Sequence, residues 1–375
     1  MKTSRRDFLK TAAAAGAGAG AVTTGLLSGC TAKPEPSVMA EIESAATRAH
    51  TQSFNMSGYG APPLEKVRIG VVGIGDRGIG SVERLCYIEG TEIVALCDIR
   101  QVAIDGAQKI LESFGLDRAV EYTGSDESWK AMCERDDIDL VYICTPWKWH
   151  TPISVYAMEN GSHVACEVPI ARTVDEAWQL VETSERTRKH CMQLENCCYD
   201  FFELLTLNMA RQGLFGDILH AEGAYIHNLM GYNFKKPEDE RLGDGAYTGM
   251  WRLRENATRN GNLYPTHGLG PVCQVMNINR GDRMDYLASM STNDFSMGVR
   301  AKELATTDSF YDEWKDAGFR GNMKVHTGED HSRPDNYDTT RCLVAQALFK
   351  DSPYQRNKGM ARKYRGAYSH RPQLA

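Results

Sequence analysis

From about residue 64 the apolar positions follow two alternating rhythms. Short continuous runs at Val67–Val72, Thr91–Leu96, Leu140–Cys144 and His163–Cys166 have the pattern of strands buried on both faces. Between and after them lie stretches of helical period: Gly78–Tyr87, Gln101–Phe114, Asp126–Arg135 behind a Ser125 cap, Ile153–Glu159 and Val174–Lys189. This alternation predicts an α/β chain with a doubly wound parallel sheet over residues 64–190. Past Gln193-Leu194-Glu195 the rhythm changes. A helix is expected over Tyr199–Gln212, and His220–Ile226 and Met284–Ser291 alternate as antiparallel strands do. Residues 191–322 are therefore expected to form an α+β domain with a largely antiparallel sheet. From about Lys324 strand alternation almost vanishes, so residues 323–375 are expected to lie outside the ordered domain; a shifted reading frame would account for them.

The N-terminus has a different character. Ser4-Arg5-Arg6-Asp7-Phe8-Leu9-Lys10 is a twin-arginine export signal, followed by an Ala/Gly stretch too short and small-sided to span a bilayer. It ends in Leu27-Ser28-Gly29-Cys30, the pattern of a lipobox, which makes Cys30 the expected lipidation site. Residues 1–30 then form the signal, and 31–63 a tether and arm. The expected address is the periplasmic side of a bacterial membrane, lipid-anchored. The 11 cysteines show neither a disulfide framework nor zinc spacing, so free thiols and no metal are expected. A net charge of −6 without a basic cluster argues against nucleic acid.

The candidate chemistry begins at Val67–Gly80. Gly73, Gly75 and Gly78 follow the first strand in the spacing G-x-G-x-x-G, with Asp76 and Arg77 between them. This is the phosphate-cradling turn of a Rossmann fold: a tight turn, an open approach for pyrophosphate, and close packing of helix on strand. Asp98 lies twenty residues past Gly78, after the second strand, where a ribose-binding acid belongs. Its carboxylate favours NAD over NADP; nearby Arg100 weakens that preference without reversing it. An exported enzyme has no NAD pool outside the cytoplasm, so its cofactor must travel bound and finish each turnover in its starting redox state.

Several strings carry a family resemblance. The glycine turn, Thr145-Pro146 and Glu167-x-Pro169 resemble the glucose–fructose oxidoreductase/inositol dehydrogenase (Gfo/Idh/MocA) family over roughly residues 64–320. The lysine that assists proton transfer in ordinary dehydrogenases of that family is Val168 here, and the acid four residues before its catalytic histidine is Leu263. Thr145-Pro-Trp-Lys-Trp149-His150, Glu167-Val-Pro169, Gln193-Leu-Glu195-Asn-Cys-Cys-Tyr199, Gly223-Ala-Tyr225-Ile-His227 and Tyr264-Pro-Thr-His267-Gly-Leu-Gly-Pro271 are similar to the NAD-dependent glycoside hydrolases of family 109. That resemblance implies an α-N-acetylgalactosaminidase acting on glycans with terminal N-acetylgalactosamine. NAD takes hydride from sugar C3, the ketone acidifies C2, the glycosidic oxygen is eliminated, water adds at C1, and the hydride returns. It further implies His267 as the base at the C3 hydroxyl and Tyr225 near C2. Tyr264, Glu195 and His227 fall on the sugar side; Trp149, His150 and Glu167 fall on the cofactor side. Pairing into a homodimer is also implied. Two competing readings are a secreted sugar oxidoreductase with net redox change and an inactive glycan-binding lipoprotein.

Overall fold

The structure is a computed structural model and describes residues 49–226, 229–236, 247–259, 263, 265–284 and 295–317. The expectations for Cys30, for the signal and for residues 323–375 therefore lie outside the described residues. So do His227 and Tyr264.

Six strands form one parallel sheet: β1 Val67–Val72, β2 Thr91–Cys97, β3 Val120–Tyr122, β4 Leu140–Ile143, β5 His163–Cys166 and β6 Cys191–Gln193. Their order, β3-β2-β1-β4-β5-β6, reverses direction between β1 and β4. The crossover helices are α1 Asp76–Cys86, α2 Gln101–Ser113, α3 Ser128–Cys133, α4 His150–Glu159 and α5 Val174–Thr187. Period-two alternation sends side chains to both faces, and helices cover each face. Ile69 and Val71 of β1 join Ile104 and Leu111 of α2 on one side, while Val72, Val141 and Ile143 meet Met132, Ile153 and Met158 on the other. A register shift between Ile69 and Gly70 skips Val94 on β2, so Ile93 and Leu96 share a face with Ile69 and Val71.

Three expectations change. The sheet continues past residue 190, because β6 pairs in parallel with β5; three residues are too short to show a period. The third helix is shorter than expected. Ser125 Oγ accepts the Glu127 N–H at 3.2 Å, capping a turn that precedes the helix proper. His220–Ile226 is not a strand but an irregular segment. A Cβ on Gly223 would meet the Gly268 carbonyl oxygen at 2.1 Å, so this backbone lies directly against a helix, not in a ladder. Met284 is likewise irregular, and residues 285–291 fall outside the described residues.

The chain after β6 continues as α6 Phe201–Arg211, α7 Met230–Asn233, α8 Trp251–Thr258, α9 Thr266–Val275 and α10 Phe295–Thr307. A separate core of Phe234, Met250, Leu253, Met297, Tyr311 and Trp314 holds its later part. Among the described residues nine cysteines are free thiols, and no helix is long and apolar enough to cross a membrane.

Ile143 is wholly buried at the middle of the sheet, whereas Val120 on the edge strand is half exposed. We expect Ile143→Ala to lower unfolding stability by about 2–5 kcal/mol. Val120→Ala should stay within roughly 1 kcal/mol. Urea denaturation followed by circular dichroism checks both.

Candidate active site

The sheet's reversal between β1 and β4 opens a crevice at the carboxyl ends of the strands, the usual ligand position in such sheets. The cleft there has a volume of about 700 Å³. Its floor is the glycine turn. Gly73 has φ +83, and a Cβ on it would meet the Thr145 backbone nitrogen at 2.6 Å. A Cβ on Gly78 would lie 1.9 Å from the Gly73 carbonyl oxygen. The first and third glycines are thus required by the chain's own backbone. Gly75 differs: its missing Cβ faces the cleft, with Arg100 Nη2 the nearest atom at 3.9 Å. That open cradle at the start of α1, where backbone N–H groups and the helix dipole favour anions, fits a dinucleotide pyrophosphate.

Asp98 holds this turn from the side. One carboxylate oxygen accepts the Ile74 N–H at 2.7 Å and the other the Arg100 N–H at 2.9 Å. The Arg100 guanidinium lies 3.6 Å from the same carboxylate.

Glu167, after β5, is buried and accepts a 2.6 Å bond from Arg77 Nε. Burial opposes the Arg77 charge, but Glu167 outweighs it and holds the guanidinium above its ordinary value. Arg77 Nη2 also reaches Asn196 Oδ1 at 3.4 Å, tying α1 to the chain beyond β6. His150 lines the cleft but is only 1% exposed. Its ring nitrogens each lie 2.8 Å from a backbone carbonyl, those of Pro169 and Thr145. With both ring nitrogens against backbone carbonyls, His150 clamps the β4 and β5 loops together at the edge of the cleft. Trp149 does border the cleft, packed on Trp129 at 6.1 Å between centroids.

Beside the cleft lies a buried acid–base pair. Glu195 Oε1 is 2.6 Å from His267 Nδ1, with the two side chains 7% and 9% exposed. Burial disfavours the Glu195 charge, but hydrogen bonding from His267, a nearby Thr266 hydroxyl and the Cys197 N–H win, and its carboxyl sits below the ordinary value. Thr266 Oγ1 and Glu195 Oε2 are nonetheless both buried without a hydrogen bond of normal geometry. The Tyr225 ring packs on the imidazole at 4.3 Å between centroids, the two rings tilted by 47°. Cys197 Sγ approaches His267 Nδ1 to 3.4 Å, and burial together with the Glu195 charge pushes its thiol up to about 11.

The elements explain why these groups meet. Glu195 caps and Cys197 lies in the short turn Asn196–Cys198 after β6, and His267 sits in the first turn of α9. A Cβ on Gly270 would come within 3.0 Å of Glu195 Cγ and 2.9 Å of Cys198 Sγ, so only glycine lets α9 approach this closely.

Sequence reasoning missed three features of the wall. Trp147, not Trp149, is the buried tryptophan of its string; it meets Trp251 at 5.1 Å and packs on Leu263. The Arg252 guanidinium lies 4.9 Å from both the Trp147 and Tyr247 rings and donates to Tyr247 Oη at 3.1 Å. Cys197 joined no spacing motif because its partner is seventy residues away. An aromatic string ending a strand was the available signal for Trp147; Arg252 and Tyr247 offered none.

Three parts of the chain match known families. Residues 67–194 match the oxidoreductase family with NAD-binding Rossmann fold, residues 199–315 the C-terminal domain of glycosyl hydrolase 109, and residues 2–22 the twin-arginine translocation signal sequence. The chain is 56% identical over 231 residues to glycosyl hydrolase family 109 protein 1 of Bacteroides thetaiotaomicron, covering 62% of this chain and 47% of that protein. It is 54% identical over 252 residues to an alpha-N-acetylgalactosaminidase of Bacteroides fragilis, covering 67% and 58%. A family 109 protein of Shewanella pealeana is 46% identical over 314 residues, covering 82% and 63%. The chain thus spans about half to three-fifths of the length of these relatives. The signal sequence directs export by the twin-arginine route.

Two glycine variants separate the roles of the turn. Gly75→Ala should stay folded yet lose at least tenfold in nicotinamide dinucleotide affinity, measured by calorimetry. Gly78→Ala should fail to yield folded protein, since its methyl meets a backbone oxygen that has no room to move. Acid should also weaken the Glu195 contribution. Because its folded pKa is depressed, its stabilisation is present above the ordinary carboxylate pKa of about 4.3 and fades as pH falls through the lower folded value. The urea midpoints of wild type and Glu195→Gln should therefore converge as pH drops below about 4.

Proposed function

We propose that this chain, a member of glycoside hydrolase family 109 through its paired Rossmann and C-terminal domains, hydrolyses terminal α-N-acetylgalactosaminides with a recycled NAD. The observation that carries the reading is the buried Glu195–His267 pair, packed against Tyr225 beside a dinucleotide cleft. When bound, NAD supplies a hydride acceptor facing sugar C3 and a hydride donor for the same carbon at the end of turnover.

The remaining work falls to side chains. Glu195 accepts the Nδ1 proton of His267, which fixes the tautomer and leaves Nε2 as the basic nitrogen. His267 Nε2 takes the proton of the C3 hydroxyl and later returns it. The Glu195 charge stabilises the imidazolium in between, as a buried carboxylate behind a histidine does. Tyr225 serves the C2 side: as the phenolate it takes the C2 proton when the glycosidic oxygen is eliminated, and it returns that proton to C2 before the hydride comes back. The Trp147–Trp251–Leu263 packing gives this end of the cleft a hydrocarbon wall and keeps water from the transferring hydride.

Asp98, with Arg100 drawn onto it, supports NAD over NADP. Val168 and the buried Leu263 speak against net dehydrogenase chemistry, because neither position offers a proton-transferring group. Folded export with the dinucleotide in place, followed by lipidation at Cys30 and residence on the periplasmic side, completes the reading.

The test is release of p-nitrophenol from its α-N-acetylgalactosaminide by the purified protein, with nicotinamide absorbance followed in parallel. Release without net NADH is expected. NADH build-up on free sugar would instead mark an oxidoreductase, and no release with added NAD an inactive glycan binder. His267→Asn should lower kcat/KM by about 10²–10⁴-fold while leaving dinucleotide affinity unchanged.

A further inference from the structure

We propose that Glu195, Cys197 and His267 also form a three-ligand site for a zinc-class divalent cation, and that its binding switches the active site off. The three side chains bring a carboxylate oxygen, a sulfur and an imidazole nitrogen within 4.8 Å of one another. Zinc bonds of about 2.0–2.3 Å in a tetrahedron place neighbouring ligand atoms about 3.4–3.6 Å apart. The sulfur–nitrogen edge, at 3.4 Å, already has that length. The oxygen–nitrogen edge, at 2.6 Å, is a hydrogen bond, and the carboxylate must draw back by somewhat under 1 Å to admit an ion.

A second observation points the same way. Glu195 is only 5% exposed, and its buried Oε2 makes no hydrogen bond of normal geometry although the Thr266 hydroxyl is near, which leaves a lone pair for a cation. A mixed oxygen, nitrogen and sulfur set selects zinc-like ions over magnesium or calcium, which prefer all-oxygen cages. The ligands are also held in place: two belong to one short turn, as its cap and its middle residue, the third opens α9, and Gly270 lets the two elements approach closely. Water from the cleft would complete the fourth position.

The proton balance gives the consequence. Binding displaces the thiol proton to solvent and moves the imidazole proton from Nδ1 to Nε2; nothing is oxidised or reduced. A histidine holding a cation on Nδ1 keeps its remaining proton on Nε2, so that nitrogen has no lone pair for a sugar hydroxyl. The switching half of the proposal rests on the function proposed above; the binding half does not.

Cobalt(II) titration of the purified full chain tests the site directly. A one-to-one tetrahedral cobalt spectrum with a sulfur charge-transfer band is expected, displaced by zinc. The band should disappear in Cys197→Ser and persist in the neighbouring control Cys198→Ser. Zinc should abolish p-nitrophenol release, EDTA restore it, and Cys197→Ser need at least tenfold more zinc for half inhibition of its own zinc-free turnover. Absence of the sulfur band in the wild type, or equal zinc binding by Cys197→Ser, overturns the site. A band without loss of turnover overturns the switch. If the chain shows no glycosidase turnover at all, the cobalt spectrum still decides the site, so the two readings fail separately.

Discussion

Close backbone approach at one corner of the sheet sets everything else. Helix α1 can begin where it does only because Gly78 lets the Gly73 carbonyl come within a distance no side chain would permit. Gly73 in turn lets the β1 turn lie against the backbone at Thr145, after β4. Those two contacts fix the switch point of the sheet, and with it the place and direction of the cleft. Gly75, between them, is the position the protein leaves open toward the cleft.

The strand-end loops are then locked to one another by polar groups taken out of water. His150 ties the loop after β4 to the loop after β5, and Glu167 ties β5 to α1 through Arg77. Asn196 carries the same arginine on to the chain after β6. Unmade hydrogen bonds in such places are costly, so each tie constrains its neighbours beyond its own modest energy. The Glu195–His267 pair hangs from this frame at its far end. Its histidine is brought in by a helix whose small residues let it press against both the β6 turn and the irregular segment holding Tyr225.

The same buried pair offers two states. With a proton between carboxylate and imidazole, His267 is poised as the base of the proposed reaction; with a zinc-class ion in that place and Cys197 as a third ligand, the proposed second state, it is not. The choice depends on what occupies a gap of a few ångströms between three side chains.

By itself the sequence determined the Rossmann half. Long apolar runs at β1, β2, β4 and β5 leave no other burial than a two-faced sheet, and the glycine spacing with Asp98 marks the cleft because those positions depend on backbone geometry close along the chain. The strings around Glu195, Tyr225 and His267 carried the family resemblance and named the pair's members, though not that they touch. Tertiary structure alone decided β6, whose three residues carry no readable period, and the irregular path of His220–Ile226, whose alternation is overruled by the contact of Gly223 with Gly268. It also decided that His150 is a clamp and that Trp147, Tyr247 and Arg252 build the wall. Those outcomes rest on contacts between residues far apart in sequence. Local pattern reports which face of an element seeks burial, but not which distant surface it will find.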